Sequence, residues 1–311
     1  MLEFLVLGSG SGGNAFVVRN AACGTTVMVD AGLSARQLVT RLERVGVDPD
    51  SLSAIVLTHE HGDHTRGLDV FLRKRDVPVF ANRHTAQVVG EKMKSPVRWQ
   101  IVQTGAGFQI GGVLKAECFS IPHDAVDPMA YVFESCGGAR LAVMTDLGFA
   151  SSLVISKLQT AHAAVLEANY DDFLLQEDTK RPWSTKQRIA SKHGHLSNVQ
   201  VKELLADAVE DGLEALVLCH LSRDCNTPHH AEKAMADVLD PWRESGVLKH
   251  CCCAGQDEPT PWMQVGRIPE PEVIGRAEPE LQDEDAVAKK PADVPPPVEP
   301  FTAEQMGLWE S

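Results

Sequence analysis

Three imidazoles and two carboxylates crowd into six residues at His59-Glu60-His61-Gly62-Asp63-His64, a density that packing does not readily explain. Farther along, His123, Asp146 and His220 add side chains of the same kind. Neutral imidazole suits zinc, while carboxylates neutralise charge and can bridge ions. Two divalent ions held about 3.5–4 Å apart by such a set generate a hydroxide nucleophile at neutral pH and clamp the oxygens of a reacting ester. The plain alternative for the cluster is a solvated polar turn. Taken alone, His123 reads as a structural or surface histidine.

Such side chains need elements that aim them at one point. On a helix His59 and His61 would point about 200° apart. The expectation is therefore a loop, bent at Gly62, leaving a buried strand at Ala54-Ile55-Val56-Leu57. The pattern repeats: Arg140 to Met144 runs into Thr145-Asp146, Ala163 to Leu166 into Glu167, and Leu213 to Leu218 into Cys219-His220. Strand ends on one edge of a sheet gather polar side chains at a common site. Asp30, after the strand Thr25 to Val29, either braces a ligand loop from behind or is an ordinary turn aspartate.

The opening strand, Leu2 to Leu7, runs into Gly8-Ser9-Gly10-Ser11-Gly12-Gly13-Asn14. Its glycine spacing fits a dinucleotide fingerprint, but that motif requires a helix next, and the β-branched run Ala15 to Val18 follows instead. A hairpin-like loop with Ser11 and Asn14 at the rim of the site is expected. Helices are expected over Ser34 to Val45, Gly67 to Arg75, Thr85 to Lys94 and Val199 to Val209. His195 either simply precedes the last of these, capped by Ser197 or Asn198, or has a chemical role.

The 311 residues, 43% hydrophobic, can bury one large core or two modest ones. No apolar run approaches the roughly 18 residues of a membrane span, and no secretory leader is evident, so the reading is a cytoplasmic protein without a membrane partner. The eight cysteines show no Cys-x-x-Cys spacing and read as reduced, packed thiols. Of the net charge of −14, residues 254–311 carry −9, with thirteen acidic and four basic side chains. Ten of the eighteen prolines also fall there. The expectation is a catalytic domain over 1–253 and a disordered acidic tail over 254–311.

Thr58-His59-Glu60-His61-Gly62-Asp63-His64 resembles the His-x-His-x-Asp-His signature of the metallo-β-lactamase superfamily, and the order His123, Asp146, His220 matches its later motifs. The resemblance covers residues 1 to about 250 and implies an α/β (α+β) fold, a four-layer αββα sandwich. It implies one ion held by His59, His61 and His123, a second by Asp63, His64 and His220, and Asp146 between them, with zinc or manganese as the metal. Gly8 to Asn14, Val29 to Gly32, Ser120 to Asp124, Gly194 to Asn198 and His220 to Arg223 are similar to the YycJ/WalJ-like branch. That branch is regarded as phosphodiesterase-like, with exonuclease activity on DNA. Asp224-Cys225 departs from the Glu-Asn usual before Asn226. These segments make Ser11, Asn14, Ser197, Asn198, Ser222 and Arg223 candidate substrate contacts.

The order Glu167, His195, His220 is also similar to tRNA 3′-processing enzymes of the superfamily, where a Glu-His pair protonates the leaving oxygen. That likeness implies His195 as general acid and Glu167 as its support, with Asp63 counted beside them as catalytic. The reading is a dinuclear metal-dependent phosphodiesterase acting on nucleic acid, DNA before RNA, in replication or repair. The alternatives are a small-molecule ester, lactone or thioester hydrolase, or a binding protein that lost catalysis. A strand needs an open groove with basic walls, for which Arg66, Arg181, Lys186, Arg188, Lys192 and Arg223 are candidates. In the tail, Gln305-Met306-Gly307-Leu308-Trp309 resembles the peptide that holds the bacterial sliding clamp, with Gln305, Leu308 and Trp309 as its anchors; a chance pentapeptide is the alternative.

Overall fold

Short apolar runs with both faces covered dominate the chain, and the computed structural model, which describes residues 1–266, turns them into two facing sheets. Strands β1 (Leu2–Gly8), β2 (Ala15–Asn20) and β3 (Thr26–Val29) pair antiparallel. Helix α1 (Ala35–Arg44) then crosses over to β4 (Ala54–Val56), parallel to β3. Helices α2 (Gly62–Thr65) and α3 (Leu68–Leu72) lead to β5 (Val79–Ala81), and α4 (Arg83–Gly90) leads to β6 (Trp99–Ile101). The second sheet opens with an antiparallel meander of β7 (Gly107–Ile110), β8 (Leu114–Ser120), β9 (Met129–Glu134) and β10 (Arg140–Met144). Helix α5 (Ser152–Gln159) precedes β11 (Ala163–Glu167), and α6 (Asp172–Glu177), α7 (Trp183–Ile189) and α8 (Asn198–Ala208) precede β12 (Ala215–Cys219). Last come α9 (Pro228–Glu244), β13 (His250–Cys253) and β14 (Met263–Val265).

Each sheet has seven strands, in the orders β14-β1-β2-β3-β4-β5-β6 and β13-β12-β11-β10-β9-β8-β7. Alternate residues explain the unbroken apolar runs. Leu141 and Val143 of β10 and Val165 of β11 enter the core between the sheets, where they meet Phe4, Val6, Phe16 and Tyr131. Ala142, Met144 and Leu166 face outward onto α5, α8 and α9, through Val154, Leu205 and Met235. Leu5, Leu7 and Met28 of the first sheet likewise meet Leu38 and Leu42 of α1 and Phe71 of α3. The result is the expected four-layer αββα sandwich. Each large apolar side chain so buried contributes about 1.5–3 kcal/mol.

Helix α1 begins where its sequence signals it should, with Ser34 and Gln37 closing a reciprocal capping box. Two expectations require correction. Gly62 is not a bend: it opens the single helical turn α2, with His61 as its N-cap, so Asp63 and His64 project from a helix rather than a loop. The boundary after Cys253 also moves. Ala254 is buried, the Thr260 hydroxyl accepts from Val6 N at 3.0 Å, Thr260 N donates to Val6 O at 2.9 Å, and Met263 to Val265 pair antiparallel with Phe4 to Leu2. The edge of β1 offers unpaired backbone groups, and this segment satisfies them while Met263 and Val265 enter the core. Proline and acid content concealed that pairing. Residues 267–311, with Gln305, Leu308 and Trp309, lie outside the described residues. Among the described residues no helix is long and apolar enough to cross a membrane.

Candidate metal centre

Three adjacent parallel strands end side by side, and each delivers one functional group: Asp146 after β10, Glu167 at the end of β11, and His220 after β12. Asp146 and His220 adopt left-handed backbone conformations, with φ of 59° and 56°, as does Asp30 after β3 at 59°. Such conformations cost a residue with a side chain about 1–3 kcal/mol and persist where surrounding structure imposes them. From the facing sheet, the segment after β4 delivers His59 and α2 delivers Asp63 and His64, while the loop after β8, in the same sheet as β10 to β12, delivers His123.

The donor atoms converge. His59, His61 and His123 form one group, and Asp63, His64 and His220 a second, each with its donors within 4.8 Å of one another; Asp146 clusters with His59 and His64. Asp146 Oδ2 lies 3.2 Å from His64 Nε2, and Asp63 Oδ2 lies 3.7 Å from His64 Nε2 and 3.8 Å from His220 Nε2.

The imidazoles are aimed from behind. His64 Nδ1 donates to Asp30 Oδ2 at 2.7 Å, and Asp30 also accepts from Thr58 N and the Thr58 hydroxyl. That hydroxyl in turn accepts from His59 Nδ1 at 3.0 Å. His123 Nδ1 donates to Gly194 O at 3.2 Å, and His220 Nδ1 to Glu167 Oε1 at 2.8 Å. Each acceptor fixes Nδ1 as the protonated nitrogen and leaves the Nε2 lone pair facing the cleft, the arrangement a metal ligand requires. Three buried atoms there, His59 Nε2, His220 Nε2 and Asp146 Oδ2, have no hydrogen bond. Buried polar atoms left without partners and facing one point fit a cation.

Electrostatics divide the set. Burial pushes His59 well below the usual imidazole value and lowers His123, so both stay neutral. Burial opposes charge on His64 and His220 too, but Asp146 with Asp30 lifts His64 well above its usual range, and Asp146, Asp63 and Glu167 lift His220 to about 10. Burial would raise Asp146, yet His220 and His64 hold it well below the carboxylate range. Without an ion, protons on His64 and His220 balance the buried carboxylates.

The cleft is an open cavity of 250 Å³ lined by Ser11, His61, Asp63, His123, Asp146, Asn169, Arg181, Arg188, Ile189, His195, His220 and Ser222. His195 stands at its wall, 20% exposed, with Nδ1 donating to Glu167 Oε1 at 2.7 Å. Glu167 is wholly buried and absent from the cleft lining, so its carboxylate reaches His195 from behind. A larger cavity of 350 Å³ at the β7–β9 edge holds Lys115, Glu134 and Arg140, already paired with one another, and none of these ligands.

Of the expected substrate contacts, Ser11 and Ser222 line the cleft. Three others are corrected. Asn14 is buried, its side chain held by Ser9 and Gly10 and 3.1 Å from His64 Nε2. Ser197 caps α8, and Asn198 exchanges hydrogen bonds with Asn226. All three are consumed by internal polar groups that would otherwise be unsatisfied. Arg223 sits outside the cleft, paired with Asp257. Of the expected basic walls, Arg181 and Arg188 line it, while Lys186 donates to Gln176 O.

Sequence reasoning missed Ser9, whose hydroxyl accepts from His220 N at 2.9 Å, and Asn169, which donates to His220 O at 2.8 Å. Asn169 follows Glu167 by two residues, and the strand-end rule that singled out Glu167 reaches it. Glu60 was missed as well: it accepts from Val126 N at 3.0 Å and ties the first histidine loop to the loop carrying His123.

The family described as the beta-lactamase superfamily domain matches residues 25–221. The exodeoxyribonuclease YycJ of Bacillus anthracis is 34% identical over 240 residues, which cover 77% of this chain and 89% of that one. The exodeoxyribonuclease WalJ of Streptococcus pneumoniae serotype 2 is 31% identical over 242 residues, covering 76% and 88%. Among solved structures, the metallo-β-lactamase fold protein YhfI from Bacillus subtilis superposes with a TM-score of 0.61 at 14% identity, covering 84% and 99%, a likeness of fold.

Proposed function

The chain belongs to the metallo-β-lactamase superfamily as a YycJ/WalJ-like, metal-dependent hydrolase, and from that footing we propose that it is a two-ion phosphodiesterase degrading DNA from an end. The observation that carries the reading is the Glu167–His195 pair beside a complete ligand set in an open cleft. His59, His61 and His123 would hold one ion and Asp63, His64 and His220 the other, Asp146 would offer its carboxylate to both groups, and zinc or manganese would be the metal. Ions there would activate water at neutral pH and neutralise charge developing on a phosphoryl group.

The protein's own groups do the rest. Expelling the alkoxide of a phosphodiester requires a proton at the leaving oxygen. His195 faces the cleft, and although burial opposes its charge, Glu167 outweighs burial and keeps it protonated above its usual range. Arg181 and Arg188 on the wall supply donors to phosphate oxygens. DNA is favoured because the relatives covering most of their own length are named exodeoxyribonucleases. The terminal peptide around Leu308 and Trp309 is proposed as a sliding-clamp tether, and clamp binding that survives their joint change to Ala rejects it.

A turnover panel tests the function. End-labelled DNA and RNA strands, bis(p-nitrophenyl) phosphate and a lactone are compared with zinc and with manganese. Metal-dependent shortening of DNA is expected, and activity confined to the lactone overturns the reading.

A further inference from the structure

The cleft continues beyond its own lining. Ser11 borders both the 250 Å³ cleft and a neighbouring 320 Å³ cavity formed with Gly12, Leu33, Gln37, Gln256 and Arg223. On another flank Arg188, Ile189 and His195 are shared with a cavity of 80 Å³. At 80 Å³ the smaller space is far below the volume of a ligand pocket. The larger falls within the roughly 300–1,000 Å³ of ligand pockets.

Charge also distinguishes the two flanks. Arg188 Nε lies 2.5 Å from Asp124 Oδ2, and Asp124 is itself 3.3 Å from His123 Nε2, so that acid is tied to the metal centre. Arg181 is gripped by Asp178 at 2.8 Å and Asp224 at 3.0 Å. Arg223 differs: its Nη2 lies 2.9 and 3.1 Å from the two oxygens of Asp257, and the side chains are 61% and 79% exposed. So exposed a pair contributes little stability, and a phosphate accepts the same guanidinium at least as well as a carboxylate. Arg66, which makes no ion pair among the described residues, donates to Gly12 O at 2.9 Å and places a second guanidinium at this wall. The wall itself is fixed, because Gln256 accepts from Gly12 N at 2.8 Å and donates to Gly13 O at 2.7 Å.

We propose that a nucleic-acid strand with its scissile phosphate at the metal ligands continues past Ser11 into this second cavity, where a neighbouring backbone phosphate displaces Asp257 from Arg223. The proposal rests on the phosphodiesterase reading and adds the direction the strand takes. Asp257 then acts as a placeholder that substrate must remove.

The test uses the metal-loaded full-length protein, Arg223→Ala and Asp257→Asn, on short end-labelled single strands and on bis(p-nitrophenyl) phosphate, over a range of salt. Arg223→Ala is expected to raise KM for the strand about tenfold with kcat retained, as loss of one charge-assisted contact would. Its salt dependence should flatten by about 0.7 in the log–log slope. Asp257→Asn is expected to lower the strand KM. The proposal is overturned if Arg223→Ala shifts KM by the same factor for strand and small diester, or if Asp257→Asn raises the strand KM as Arg223→Ala does. Strand cleavage with an unaltered KM in Arg223→Ala rejects the path alone, whereas a wild-type protein that cleaves no phosphodiester rejects the path and the phosphodiesterase reading together.

Discussion

The carboxylate of Glu167 accepts a hydrogen bond from Nδ1 of His195 at 2.7 Å, from a position wholly buried beneath the cleft. The same oxygen accepts from Nδ1 of His220 at 2.8 Å, so one buried carboxylate orients both the proposed acid and a proposed metal ligand. Burial disfavours its charge, yet His195 and His220 together hold it below the usual carboxylate range.

Replacing His195 by Ala should lower kcat on an alkyl phosphodiester by about 10²–10⁴, the range of general acid catalysis, with bound metal unchanged. On bis(p-nitrophenyl) phosphate, whose leaving group departs without a proton, the loss should be much smaller. Equal losses on both substrates would show that His195 does not act as the acid.

Glu167→Gln removes the charge that raises the His195 value. A general acid works only while protonated, so the alkaline limb of the kcat–pH profile should move to lower pH. Metal affinity should also fall, by about 10–100-fold, because the carboxylate behind His220 becomes a neutral amide and a weaker acceptor. A profile that keeps its alkaline limb in place under saturating metal would separate Glu167 from His195.

Asp30→Asn probes the opposite wall, where His64 Nδ1 meets Asp30 Oδ2 at 2.7 Å. An amide that turns its oxygen to His64 must lose one of its bonds to Thr58. Affinity at the Asp63, His64, His220 group should drop about 10–100-fold, with the His59, His61, His123 group less affected. Metal titration by calorimetry would reveal one weakened step; two equally weakened steps would contradict the division of ligands.

Stability without metal should depend on pH in a defined window. His220 stands at about 10 in the folded chain against about 6.5 when unfolded, so its contribution is complete below pH 6.5 and is lost as pH rises through about 10. Urea midpoints of EDTA-treated protein should therefore fall between pH 7 and 10. Metal-loaded protein, in which an ion replaces that proton, should fall less. Parallel declines in the two forms would contradict protonation of His220 in the empty centre.

Much of this centre was legible in the sequence because its ligands follow apolar runs. Asp146, Glu167 and His220 each end a strand, and a parallel sheet brings such ends together whatever lies between them. Asp30 was recognised but not decided, since only the fold places it against His64. Asn14, Ser197 and Asn198 looked like rim residues because polarity in a loop does not disclose burial; each completes an internal hydrogen bond instead. The segment after Cys253 was hidden by its prolines, although Met263 and Val265 alternate inward as an edge strand does. Long-range pairing of residues more than 250 positions apart, such as Val6 with Thr260, leaves no local signal.

Reconstitution of the EDTA-treated protein with counted equivalents of metal, followed by cleavage of end-labelled DNA, tests the central claim most directly. Two ions shared by the His59, His61, His123 and Asp63, His64, His220 groups predict that shortening of the strand from its end appears only as the second equivalent binds. Full activity at one equivalent, or no phosphodiester cleavage at two, would contradict the account.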